Sequence, residues 1–198
     1  VLKRYPDMDP GTRAQIADDV IAESQELTRL VNALVDLAGV AGTTEDAERV
    51  DLADLVSGAV RRLPASDRDR VQVTGGGEAV VRPVQVQRAV ANLLTNAAKF
   101  DPSGGPIEVT VAAGSNTATI EVRDHGAGFG ADDLPHVFAR FYRSDAARST
   151  PGSGLGLAIV KDVAQQSGGG VTAANHPEGG AVVRMTLPPP PQPTAPSA

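Results

Sequence analysis

Asn92, Asn96 and Lys99 stand at i, i+4 and i+7, so on a helix they project from one stripe, while Val90, Leu93, Leu94 and Ala97 cover the other face. Two amides and an ammonium on one stripe suit a hydrated Mg²⁺ and phosphate oxygens. Mg²⁺ keeps several waters and asks for few protein oxygens, and lysine supplies a point charge. The same stripe also fits a plain solvated face. A second group follows in Asp124-His125-Gly126-Ala127-Gly128. A carboxylate at the end of a strand can accept a hydrogen bond from an exocyclic amine, with glycines leaving room for a flat base; an ordinary Asp/Gly turn has the same composition. Phe138-Ala139-Arg140-Phe141-Tyr142-Arg143 places rings and guanidinium groups before a small, polar stretch, as an anchored lid does, and Arg143 or Arg148 can reach a phosphate from there. Gly152-Ser153-Gly154-Leu155-Gly156-Leu157 opens an apolar run that continues to Gln166. A glycine turn feeding a helix start presents unpaired N–H groups and the positive end of the dipole to an anion, although it is often mere punctuation.

These groups need elements to hold them. The polar stripe requires a helix from Pro83, which suits a first helical turn, to about Lys99, with Pro102 forbidding much more. Val50 begins a short strand and Asp51 can cap a helix to about Val60. Val71–Val73 and Ala79–Val81 read as a hairpin around Gly75–Gly77, and Ile107–Ala113 with Thr117–Arg123 as another around Gly114-Ser115-Asn116. Leu134–Phe141 reads as partly helical, and Val171–Ala174 with Ala181–Leu187 as closing strands. Hairpins rather than repeated strand–helix–strand units predict one layer of helices on a mixed, mostly antiparallel sheet, an α+β sandwich.

Ahead of this domain, Ile16, Val20, Leu27, Leu30, Leu34 and Leu37 keep a heptad seam that Gly39 and Gly42 end. Such a seam on a helix outside the domain calls for a partner, best met by a helical hairpin that dimerises into a bundle. The expected organisation is therefore 1–39 as the end of one helix, a turn and a second helix of that hairpin, 40–47 as linker, 48–187 as the domain that carries the four groups, and 188–198 as a disordered Pro-rich tail.

Composition narrows the class. With 198 residues and 41% hydrophobic content there is enough chain for one well-buried domain and an accessory element, and 3% aromatic residues make the core aliphatic. A net charge of −6 offers no basic stripe for a nucleic acid. There is no cysteine for a disulfide or thiolate metal site, and no apolar run long enough to span a membrane.

Taken in order, the four groups resemble the boxes of sensor histidine kinases. Asn92 to Phe100 resembles the N box, Asp124 to Gly128 the G1 box, Phe138 to Arg143 the F box and Gly152 to Leu157 the G2 box. The resemblance covers roughly Val50 to Leu187, and the overall texture is similar to actinobacterial kinases. It implies a Bergerat-type ATP-binding fold with nucleotide between the N-box helix and the lid. It also implies that Asn96, supported by Asn92, binds Mg²⁺, that Lys99 and Arg143 face phosphates, that Tyr142 lies near the nucleotide, and that Asp124 binds the adenine amine. Gly126 and Gly128 leave room at the base end, Gly152, Ser153, Gly154, Leu155, Gly156 and Leu157 form the phosphate end, and Phe100 is a further ATP-binding residue. The implied partners are a second copy through the N-terminal hairpin and a response regulator.

Two departures qualify the resemblance. The family's phosphoaccepting histidine sits in a His-Glu/Asp-Leu-Arg-Thr-Pro string that this sequence lacks; its histidines are His125, His136 and His176. The expectation is a cytoplasmic fragment, starting just downstream of that box, of a receptor held in the cell membrane, able to bind ATP but not to label itself. His125 also replaces the usual asparagine of the G1 box, which either makes nucleotide affinity sensitive to pH or is silent because the side chain points away. Arg88, four residues before Asn92, stands where related water-activating ATPases of the heat-shock and mismatch-repair kinds carry a glutamate, and arginine cannot deprotonate water. Phosphoryl transfer to a protein is thus expected over hydrolysis. A serine kinase of the same fold and an interaction module without nucleotide are the alternatives.

Overall fold

The computed structural model describes residues 9, 11–13, 15–21, 24, 45–145, 147, 150 and 152–189. The expected seam from Leu27 to Leu37, most of the linker and the end of the tail lie outside the described residues. Residues 11–13 and 15–21 are helical. Asp9 starts that helix: its carboxylate accepts from the Thr12 N–H at 3.0 Å and its carbonyl from the Arg13 N–H at 3.1 Å.

The elements that follow are β1 (Glu48–Asp51), α1 (Leu52–Val60), α2 (Ala65–Arg68), β2 (Val71–Gly76), β3 (Glu78–Val81), α3 (Pro83–Phe100), β4 (Ile107–Ala113), β5 (Ala118–Arg123), α4 (Gly156–Gln166), β6 (Gly170–Asn175) and β7 (Ala181–Leu187). Five strands form a sheet in the order β2-β4-β5-β7-β6, parallel between β2 and β4 and antiparallel elsewhere. Strand alternation decides its faces. Ile107, Val109 and Val111, then Ala118, Ile120 and Val122, then Val183, Met185 and Leu187 all point into the core. Helices cover that face in one layer, α1 over β2, α3 over β4 and β5, and α4 over β6 and β7. The opposite face is polar, with Arg184 paired to Glu121 at 2.6 Å and Arg123 to Glu108 at 3.4 Å. This is the expected sandwich.

One expected pairing is corrected. β2 and β3 follow each other but form no hairpin: β2 runs parallel to β4, and β3 pairs with β1 in a separate two-stranded sheet. Their burial explains it. β3 buries Ala79 and Val81, whereas β2 is exposed from Gln72 to Gly75 as the edge of the large sheet. Two strands of one hairpin would share a buried face. Leu134–Phe141 is also corrected, being a series of turns without a helix.

α3 is the central element. Its buried side, including Val86, Ala89, Val90, Leu93, Leu94 and Ala97, repeats at helical spacing. Pro83 occupies its first turn, but Arg82 at the N-cap contributes no capping side chain. Glu45 does so instead from far back in the chain, its carboxylate accepting from the Val84 N–H at 2.7 Å and the Gln85 N–H at 3.3 Å. The other end is fixed by a buried ion pair. Arg70 reaches Asp101 Oδ2 at 3.0 Å, the Asp101 carbonyl at 3.0 Å and the Gly105 carbonyl at 2.8 Å. Burial pushes the Asp101 carboxyl up, but hydrogen bonds from Ser103 and the Arg70 charge outweigh it and hold the group below its ordinary range.

Candidate nucleotide-binding site

The helix from Pro83 brings its polar stripe opposite the start of α4. Asn92 Nδ2 donates to the Arg88 carbonyl at 3.1 Å, which leaves Oδ1 on the side of α4. A β-carbon placed on Gly156 would lie 3.3 Å from Asn92 Oδ1 and 3.7 Å from Asn96 Oδ1. The Asn96 Nδ2 is equally near at 3.7 Å, so the two side-chain amides meet near one point. Among the described residues no group of three or more His, Cys, Asp or Glu side chains is arranged to hold a metal. Amide oxygens with room for water and phosphate are a donor set that fits Mg²⁺.

Lys99 crosses to the glycine segment. Its Nζ lies 2.6 Å from the place a Gly152 β-carbon would take, and 4.6 Å from the centre of the Phe100 ring. Gly154 then turns the chain with φ +70°, and a β-carbon there would press within 2.8 Å of the Phe141 and Tyr142 backbone. Its carbonyl accepts from the Phe141 N–H at 3.0 Å, so the residues before and after the lid are tied together. Leu155 is fully buried and anchors the start of α4, which has no side-chain cap. No side chain caps the first-turn amides of α4, an arrangement in which a helix start can take an anion.

At the far end, Asp124 follows β5 and is buried. Its Oδ1 accepts from the Gly126 N–H at 2.9 Å and the Ala181 N–H at 3.0 Å. One oxygen is thus spent on holding the carboxylate in place, and Oδ2 is left for an amine donor. The adjoining His125 also lines the cavity, with its Nε2 held by Glu108 Oε1 at 2.9 Å.

The lid segment shows an internal order. Tyr142 donates its hydroxyl to Asp133 at 2.6 Å, and this bond chiefly raises the phenol pKa above its ordinary value. Arg140 pairs with Asp162 of α4 at 2.9 Å. Arg143 Nη2 donates to the carbonyls of Ala147 and Thr150, each at 2.5 Å, so here the guanidinium braces its own loop. Arg148 lies outside the described residues.

The other candidate residues line one cavity of about 1070 Å³: Asn92, Asn96, Lys99 and Phe100 from α3; Asp124, Gly126 and Gly128; Tyr142 and Arg143; and Gly152 through Leu157. Its floor is Val122, Ile159 and Val183. Sequence reasoning missed three supporting residues, Asp133 under Tyr142, the Ala181 amide under Asp124, and Asn175, which binds the Phe129 backbone. The last two carry no local signal, because their partners are distant in sequence, and Asp133 lies nine residues before Tyr142 with no regular element to bring them together.

Residues 81–191 match the family described as histidine kinase-, DNA gyrase B- and HSP90-like ATPases. The chain belongs to this family. Within it the chain sides with the sensor histidine kinases. It is 42% identical over 197 residues to a signal transduction histidine-protein kinase/phosphatase, MprB, of Mycolicibacterium smegmatis, covering 92% of this chain and 39% of that protein. It is 37% identical over 195 residues to the histidine-protein kinase AfsQ2 of Streptomyces coelicolor, covering 96% of this chain and 35% of that one. Among solved structures, a mycobacterial sensor histidine kinase MprB matches with a TM-score of 0.64 and 34% identity, over 73% of this chain and all of that one. The chain spans well under half the length of the two curated relatives. For an ATP-binding domain of the histidine-kinase type, the cavity has the expected walls: the α3 stripe, the glycine turn into α4, and a buried carboxylate at the third side.

Proposed function

We propose that this domain binds Mg²⁺-ATP and delivers its γ-phosphoryl group to a histidine outside the chain, for relay to an aspartate of a response regulator. The observation that carries the reading is the convergence of Asn92 and Asn96 on the uncapped N-terminus of α4 and of Lys99 on Gly152 ahead of it, in one cavity, with Asp124 Oδ2 left for the base. Asn96 and Asn92 hold the metal, which when bound neutralises phosphate charge. Lys99 and the first amides of α4 orient the phosphates, and Asp124 selects the adenine amine. Such transfer is mostly positioning and charge neutralisation, so the residues need only hold the donor in line. Arg88 supplies no base for water, which favours transfer over hydrolysis.

In the intact protein the N-terminal hairpin dimerises and presents the acceptor histidine, and the receptor sits in the cell membrane with this part in the cytoplasm. Among the described residues no helix is long and apolar enough to cross a membrane. Incubation with γ-labelled ATP tests the reading: a version extended upstream through a histidine-bearing helix becomes labelled and this chain alone does not. Labelling of this chain alone would overturn the assignment of the acceptor.

A further inference from the structure

The β6–β7 hairpin holds the base end of the cavity, and Asn175 at the end of β6 contacts it through Phe129. Its Oδ1 accepts from the Phe129 N–H at 2.7 Å and its Nδ2 donates to the Phe129 carbonyl at 2.8 Å. One side chain thereby satisfies both backbone groups of a loop residue, as a neighbouring strand would. Gly128, next to Phe129, adopts φ +75°, and a β-carbon on it would fall 2.6 Å from Asn175 Oδ1. The glycine is needed as much for the passage of this amide as for any ligand.

The same hairpin grips the segment at its other end. The Asp124 N–H donates to the Ala181 carbonyl at 3.0 Å while the Ala181 N–H donates to Asp124 Oδ1 at 3.0 Å. Between these two clamps lie Gly126, Ala127 and Gly128, all on the cavity wall. A glycine-rich loop tied at one end only would have to be ordered by the ligand, at an entropic cost to binding. Asn175 is itself exposed and outside the core.

We propose that Asn175 is a positioning residue that sets adenine affinity and selectivity by clamping the Gly126–Phe129 segment beside Asp124. The proposal rests on the reading of the cavity as an ATP site. It is tested on the whole chain by titrating the unaltered protein, Asn175→Ala and Asn175→Asp with Mg²⁺-ATP and Mg²⁺-GTP, alongside thermal unfolding. Asn175→Asp keeps the acceptor for the Phe129 N–H but sets a carboxylate against the Phe129 carbonyl. Both variants should bind ATP about tenfold more weakly, with a reduced preference for ATP over GTP and an unchanged melting temperature. An unchanged ATP affinity in Asn175→Ala would overturn the proposal. So would equal weakening of ATP and GTP with a lowered melting temperature, which marks a merely structural role. Failure of the unaltered chain to bind ATP would instead overturn the reading beneath it, and the proposal with it.

Discussion

Replacing Asp124 by asparagine separates recognition of the base from support of the fold. The side chain's Oδ1 serves the protein, accepting from the Gly126 and Ala181 amides at 2.9 and 3.0 Å, and Oδ2 is the oxygen proposed to take the ligand. Asp124→Asn keeps an oxygen for the two amides and turns an NH₂ group towards the base, where an adenine amine also donates. The lost bond is one to a charged acceptor, about 1.5–3 kcal/mol, or roughly a 10- to 150-fold weaker Kd for ATP. Guanine presents a carbonyl at the same place, so the preference should swing towards GTP. Asp124→Ala differs in kind, because it strands two backbone donors at about 1–3 kcal/mol each and should lower the melting temperature as well. Isothermal titration with ATP and GTP, paired with thermal unfolding, reads both effects. If Asp124→Asn binds ATP within about twofold of the unaltered chain, Asp124 does not contact the base and the cavity's orientation is wrong.

Three further outcomes follow from the network around α3. Arg70→Ala leaves the Asp101 carboxylate buried without its cation and should cost about 3–5 kcal/mol in chemical denaturation; a loss below about 1 kcal/mol would mean that the pair is screened like a surface bridge. Asp101 and Glu108 both have folded pKa values below their ordinary ones, Glu108 chiefly through the hydrogen bond from His125. The stability they add is present above the unfolded carboxylate range of about pH 4 and is lost as pH falls through the lowered folded values. Melting temperature should therefore fall steeply on acidification below about pH 4, and less steeply in His125→Ala. Glu45→Gln weakens a carboxylate cap on α3, and should reduce stability by about 1 kcal/mol in denaturant titration; no change would show that the cap is dispensable.

Much of the site was legible because its signals are local. The stripe of Asn92, Asn96 and Lys99 needs only helical periodicity, and Pro83, Asp51 and the glycine turn before α4 mark their helix starts by short-range chemistry. The hairpin of β4 and β5 was likewise visible in its alternation and in the turn closed by the Gly114 N–H on the Thr117 carbonyl at 2.8 Å. What was not legible depends on partners far along the chain. The parallel pairing of β2 with β4 is set by burial, and the glycines at 75–77 imitate a hairpin turn. The cap from Glu45, the clamp from Asn175 and the Arg70–Asp101 pair each join segments more than 30 residues apart, with |i−j| of 39, 46 and 31. Composition and spacing carry no trace of such bonds.

The proposed mode of binding has this cavity take ATP through Mg²⁺ held at Asn96. Titration of the chain with ATP, with and without Mg²⁺, and of Asn96→Ala under the same conditions, tests it most directly. Saturable binding that Mg²⁺ strengthens is expected in the unaltered chain, with loss of that strengthening in Asn96→Ala and the fold intact. Binding that ignores Mg²⁺, or an Asn96→Ala variant that responds to Mg²⁺ like the unaltered chain, would contradict it.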